Sequence, residues 1–111
     1  MKIQYVIVRN DTGFPRGATA AQAVHAVTAC QHEHLDQGYL EYISEGAGMH
    51  TAVLQCTQEE MAALVEALRK KEVKFSAWVE MPENMLTAVA IYPYEKARLQ
   101  EIKELRRLKL Y

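Results

Sequence analysis

Gln22 and His25 stand three residues apart in a run of good helix formers, a spacing that puts an amide and an imidazole on one helix face. An amide so placed can fix the tautomer of the ring and leave its other nitrogen for a substrate; a satisfied, partly buried histidine has the same pattern. Glu80 closes an apolar run, where a carboxylate at a sheet edge is expected to be partly desolvated and its pKa raised, although a solvent-facing strand end fits equally. Thr87, in the next apolar run, is expected to face Glu80 across the intervening turn. The loop from Asn10 to Gly17 opens onto the helix, and unpaired N–H groups at a helix N-terminus point at whatever anion sits there. An ordinary strand-to-helix connection looks the same.

Other chemistries find less support. The loop is neither GxGxxG nor a P-loop, so nucleoside triphosphate hydrolysis is not expected. His32 and His34 fall on different faces of the helix, and His25 to His32 spans two turns without a carboxylate or thiol at ligand spacing, so no metal is expected. There is no Gly-x-Ser-x-Gly elbow, and neither Cys30 nor Cys56 has a histidine nearby in sequence to activate it.

These side chains must be positioned by a small fold. The chain has 111 residues, 50% hydrophobic and 24% charged, which is one globular domain with a self-sufficient core. Lys2 to Val8 is a continuous run rich in β-branched residues, as in a strand buried on both faces. A helix is expected from Ala18 to His34, with Ala20, Val24 and Val27 as its core stripe and Gln22, His25, Ala29 and His32 as its polar-bearing one. Leu35 to Ser44, before Gly46-Ala47-Gly48, reads as a short helix or an irregular segment. His50 to Cys56 reads as a strand, and Thr57 with Glu60 has the capping-box spacing for a helix through about Lys71. Phe75 to Glu80 alternates, with Trp78 facing away from Phe75, Ala77 and Val79. Met81 to Asn84 is a turn, Met85 to Tyr92 a last strand, and Glu95 to Leu108 a third helix or a helix with a short extended tail. The order of elements argues an α/β layer fold with a mixed sheet.

The formal net charge of -1 argues against holding nucleic acid by bulk electrostatics. The sum hides an uneven distribution. Gln31 to Glu66 carries seven acids and no Lys or Arg, whereas Tyr94 to Tyr111 carries six bases against three acids, which fits either a phosphate-binding face or a solvated amphipathic helix. No run is long enough for a membrane span and no signal peptide can be drawn on the N-terminus, so a cytoplasmic protein is expected, its two cysteines free thiols.

Gly17-Ala18-Thr19-Ala20-Ala21-Gln22-Ala23-Val24-His25-Ala26 resembles the Gly-Lys-x-Ala-Ala-Gln-x-x-His-Ala signature of class II peptidyl-tRNA hydrolases. Tyr5 to Arg9, the Val-Leu-Gln strand before the capped helix, and Thr87-Ala88-Val89-Ala90-Ile91-Tyr92-Pro93 extend the similarity over almost the whole chain. Trp78 to Asn84, followed by Pro93-Tyr94, resembles more closely the divergent branch known as peptidyl-tRNA hydrolase domain-containing proteins.

The resemblance implies a three-layer α/β/α domain with a four-stranded mixed sheet, in a family whose members are frequently homodimers. It implies cleavage of the ester joining a peptide to the 3′ ribose of tRNA, with peptidyl-tRNA as partner and no cofactor. His25, Glu80, Gln22 and Thr87 are then the catalytic candidates, with His25 and Glu80 as acid/base groups and Gln22 and Thr87 orienting them. Arg16, Gly17 and Thr19 are the substrate-binding candidates. Two departures stand out: the family's lysine falls on Ala18, and the aspartate opening its Asp-Ala-Gly-Arg-Thr loop has at best Glu80 in its place, followed by the shorter Met81-Pro82-Glu83-Asn84. Arg16 offers a positive charge near the same cleft but cannot act as a base. A non-catalytic homologue that binds tRNA or a protein on the same scaffold is the alternative.

Overall fold

A strand buried on both faces needs apolar side chains on each, and the Val6-Ile7-Val8 run of β1 (Lys2–Arg9) has them: Ile7 belongs to one core cluster and Val8 to the other. The computed structural model describes residues 1–44 and 48–111. Gly46 and Ala47, expected to end the second segment, and Glu45 of the acidic stretch lie outside the described residues. After β1 come α1 (Arg16–His34), α2 (Gln37–Ile43), β2 (Thr51–Cys56), α3 (Gln58–Lys70), β3 (Phe75–Glu80) and β4 (Met85–Ile91). The chain finishes with β5 (Tyr94–Glu95), α4 (Lys96–Leu99), α5 (Lys103–Arg106) and β6 (Lys109–Leu110).

The strands lie in the order β3-β4-β1-β2-β6, with β5 paired to β1. β1 and β2 are parallel, joined by the α1–α2 crossover, and every other pairing is antiparallel, so the sheet is mixed as expected. The expected count of four strands is corrected to six among the described residues. The two additional strands are two residues each, too short to carry an alternation that a sequence could display.

Helices cover both faces. Ile7, Val89 and Ile91 pack with Met61, Leu64 and Leu68 of α3, Leu99 of α4 and Leu105 of α5; Val8, Ala88 and Ala90 pack with Ala26 and Cys30 of α1 and Tyr39 and Tyr42 of α2. The capping box of α3 forms in full, Thr57 Oγ1 accepting from Glu60 N and Glu60 Oε1 accepting from Thr57 N. The segment after Leu35 is a helix, its first turn capped by the Asp36 carboxylate, which accepts from Tyr39 N at 2.9 Å and from Tyr92 Oη at 2.5 Å.

Two expectations fail for identifiable reasons. The helix expected from Glu95 to Leu108, alone or with a short extended tail, is instead two single-turn helices, with an extended end in β6 just beyond it. Its buried positions Leu99, Ile102 and Leu105 recur every three residues, and on a continuous 3.6-residue helix that spacing would spiral away from the core. A break at Ile102, extended at φ -96 and ψ 98, keeps all three inside. On α1 the core stripe is Thr19, Gln22, Ala26 and Cys30, whereas Ala20 is exposed and Val24 is 63% exposed. Hydrophobicity misleads because small and polar residues take the buried face, where close approach to the sheet and hydrogen bonding are needed. Val27 of the expected stripe does pack, half-buried, against this core, and with Val24 it edges a groove between α1 and Val53 of β2.

Candidate active site between the first helix and the hairpin

The hairpin of β3 and β4 is irregular at one point. Trp78 pairs with Ala88 but Val79 pairs with Leu86, so Thr87 is an extra residue on β4. Alternation from Ala88 and Val89 would turn Thr87 toward α3; the bulge re-aims it at α1. There Thr87 Oγ1 donates to Gln22 Oε1 at 2.7 Å, with both residues buried. Gln22 Nε2 in turn donates to Glu80 Oε2 at 3.3 Å. Gln22 is thus a bridge between two strands, and Thr87 reaches Glu80 through it rather than across the turn, where Glu80 pairs with Met85.

β3 presents alternate residues to α1. Ser76 donates to Glu33, Trp78 lies against His25 with ring centroids 4.9 Å apart, and Glu80 meets Gln22. Trp78 Nε1 also donates to Glu80 Oε1 at 3.1 Å, so each carboxylate oxygen has its own donor. Hydrogen bonds to the charged form favour it. The indole N–H first, then the Gln22 amide, hold Glu80 below the ordinary carboxylate range, with a smaller contribution from the charge of His25. The expected rise through desolvation is corrected: Glu80 is half-buried and its donors outweigh burial. The tautomer-fixing contact between Gln22 and His25 is corrected too, since the amide is committed to Thr87 and Glu80.

The structure brings together Gln22, Glu80 and Thr87, with His25 joined to them through Trp78. It does not bring in the three residues at the helix start. Arg16 and Gly17 are exposed at the head of α1, and Thr19 is buried, its hydroxyl donating back to Pro15 O at 3.4 Å. The basic C-terminal segment is elsewhere as well: it ends in β6, at the opposite edge of the sheet from β3 and Glu80.

Two residues of the site escape a reading of side-chain spacing. Trp78 looks like strand filling, and only its position two residues before Glu80 on the same face hints at a contact. Arg9 looks like the polar end of a strand. It is only 7% exposed, donates through Nη1 to Leu86 O at 3.0 Å beside the bulge, and pairs through Nε with Asp11 Oδ1 at 2.6 Å. Asp11 Oδ2 accepts from Gln58 N in the first turn of α3, so β1, the bulge and α3 are tied at one corner. A lone cation closing an apolar strand, two residues before an aspartate, is the signal for it.

Among the described residues no group of three or more His, Cys, Asp or Glu side chains is arranged to hold a metal ion, and no helix is long and apolar enough to cross a membrane. The family described as Peptidyl-tRNA hydrolase PTH2 matches residues 2–111. Relatives from Mus musculus and Homo sapiens, both named "Putative peptidyl-tRNA hydrolase PTRHD1", are 36% identical over 115 residues, covering 96% of this chain and 82% of theirs. A protein of Staphylothermus marinus named "Peptidyl-tRNA hydrolase" is 27% identical over 107 residues, covering 89% of this chain and 88% of its own. The fold is shared with a solved structure of a protein of unknown function from Agrobacterium tumefaciens C58, at a TM-score of 0.68 and 12% identity over 99% of this chain and 97% of that one. With a family match from one end to the other and relatives this similar, the chain belongs to the PTH2 family of peptidyl-tRNA hydrolases.

Proposed function

We propose that the protein hydrolyses the ester between a peptidyl, or N-acyl-aminoacyl, group and the 3′ ribose of tRNA. The observation that carries this reading is the linked Thr87–Gln22–Glu80–Trp78 cluster, which holds a carboxylate ionised beside an imidazole at the open edge of the sheet. In the proposed reaction water attacks the ester carbonyl while His25 takes its proton; the carbonyl–oxygen bond to the ribose then breaks and His25 returns the proton to the 3′ oxygen. The Glu80 carboxylate favours the imidazolium that forms in between, and Gln22, fixed by Thr87, holds Glu80 in place. Arg16 is assigned to phosphate. The test is release of N-acetyl-amino acid from purified N-acetyl-aminoacyl-tRNA; a rate no faster than buffer at saturating protein would remove the catalytic reading.

The second reading, a non-catalytic tRNA- or protein-binding homologue, is favoured by one observation: among the described residues no lysine or arginine forms an ion pair with Glu80, and position 18 is alanine. Binding of tRNA without turnover is its signature. The hydrolase reading extends to a cytoplasmic location and to a homodimer, the latter tested by sedimentation equilibrium.

A further inference from the structure

We propose that the Trp78 indole, steadied by His25 and Glu80, is the stacking surface for the terminal nucleobase of the tRNA 3′ end. The inference rests on the peptidyl-tRNA reading and assigns Trp78 a part in it that positioning Glu80 alone does not require. Two features carry it. The indole is half-buried, packed against the α1-side core, with its N–H committed to Glu80 at 3.1 Å and the His25 ring 4.9 Å away, so its plane is set before any ligand arrives. It stands on the same strand face as Glu80, two residues away, which places a flat aromatic surface beside the group proposed to act at the 3′ ribose.

The electrostatics select the kind of aromatic ligand. Glu80 disfavours a phosphate at this point, whereas a neutral base with an exocyclic amine can stack on the indole and donate toward a carboxylate. A 3′-terminal nucleoside, with no phosphate beyond it, meets that requirement. Each stacked base contributes ~1–3 kcal/mol by side-chain truncation, a factor of about 5 to 150 in affinity.

The chain contains a single tryptophan, so indole fluorescence reports on Trp78 alone. Titration with the trinucleotide CCA is expected to quench that emission saturably. The same trinucleotide with an abasic 3′ residue is expected to quench at least fivefold more weakly. With N-acetyl-aminoacyl-tRNA as substrate, replacing the terminal base by an abasic residue is expected to raise KM in the wild type and in Trp78→Phe, which keeps a ring. In Trp78→Leu, checked for folding by circular dichroism, the replacement should change nothing further. Equal quenching by the abasic trinucleotide overturns the proposal. Quenching by an N-acyl amino acid ester in place of CCA also overturns it and assigns the surface to the peptidyl group. AMP matching CCA reassigns the surface to free nucleotides. Base-dependent quenching without turnover upholds the stacking while removing the hydrolase reading; turnover without base dependence does the reverse.

Discussion

Thr87 and Gln22, 65 residues apart in sequence, share a buried hydrogen bond of 2.7 Å that exists only because β4 carries one residue more than β3 at that point. Together they set where Glu80 stands.

Replacing Thr87 by Val keeps the shape of the side chain and leaves the Gln22 carbonyl without its donor in a buried place. The expected cost is about 1–3 kcal/mol in urea denaturation, with Thr87→Ser close to wild type. Hydrolysis of N-acetyl-aminoacyl-tRNA should fall with Val and be kept with Ser. A Val variant as stable and as active as the wild type would show that the bridge is idle.

Glu80 is held below the usual carboxylate range, so the interactions it makes are complete above the unfolded pKa and are lost as pH falls through the lower, folded value. The ionised carboxylate, and the support it gives the imidazolium, should therefore persist to more acidic pH than an ordinary glutamate allows. Trp78→Phe removes the larger of the two donor effects and Gln22→Ala the smaller, so the carboxyl titration of Glu80 should move upward in both, further for Trp78→Phe. Carboxyl NMR of Glu80 across the titration provides the direct measurement.

His25→Ala should lower the rate of ester cleavage by about 10²–10⁴-fold, the usual contribution of a positioned acid/base group. Glu80→Ala should lower it as well. If both variants stay within about threefold of wild type, under ~1 kcal/mol of barrier, the proton is carried by other groups.

Arg9 should be more costly to replace than its place at a strand end suggests. Arg9→Met strands Leu86 O and one oxygen of Asp11 together, removing hydrogen bonds in which a charged group takes part. An expected loss of about 1.5–3 kcal/mol is measurable by denaturation, accompanied by weakened hydrogen-exchange protection at the start of β4.

Both thiols should be silent. Burial pushes Cys30 up to about 11 and Cys56 up to about 12, so neither offers thiolate at neutral pH. A thiol-reactive disulfide reagent should label neither in the native protein and both after denaturation.

The capping residues Thr57 and Glu60 make α3 readable from its first four residues, and the apolar run of β1 reads correctly as a strand covered on both sides. The α1 face was harder, because Gln22 looks like surface and Val24 like core while the structure reverses them. What decides is the partner across the interface, and Thr87 becomes that partner only through the bulge. Spacing along one element reports its faces but not a register shift in another, so the Gln22–Thr87 contact has no local signature. The same holds for β6, whose two residues are a strand only because the edge of β2 is open to receive them.

The bulge makes the site a matter of counting. Delete one residue of β4 ahead of Ala88 and the two strands can pair without interruption, their apolar alternation intact. The side chain at the vacated step would then face the α3 layer, and Gln22 would lose its donor. A relative could keep the helix motif, the carboxylate and a sound sheet, and still have dismantled the arrangement by the length of a single strand.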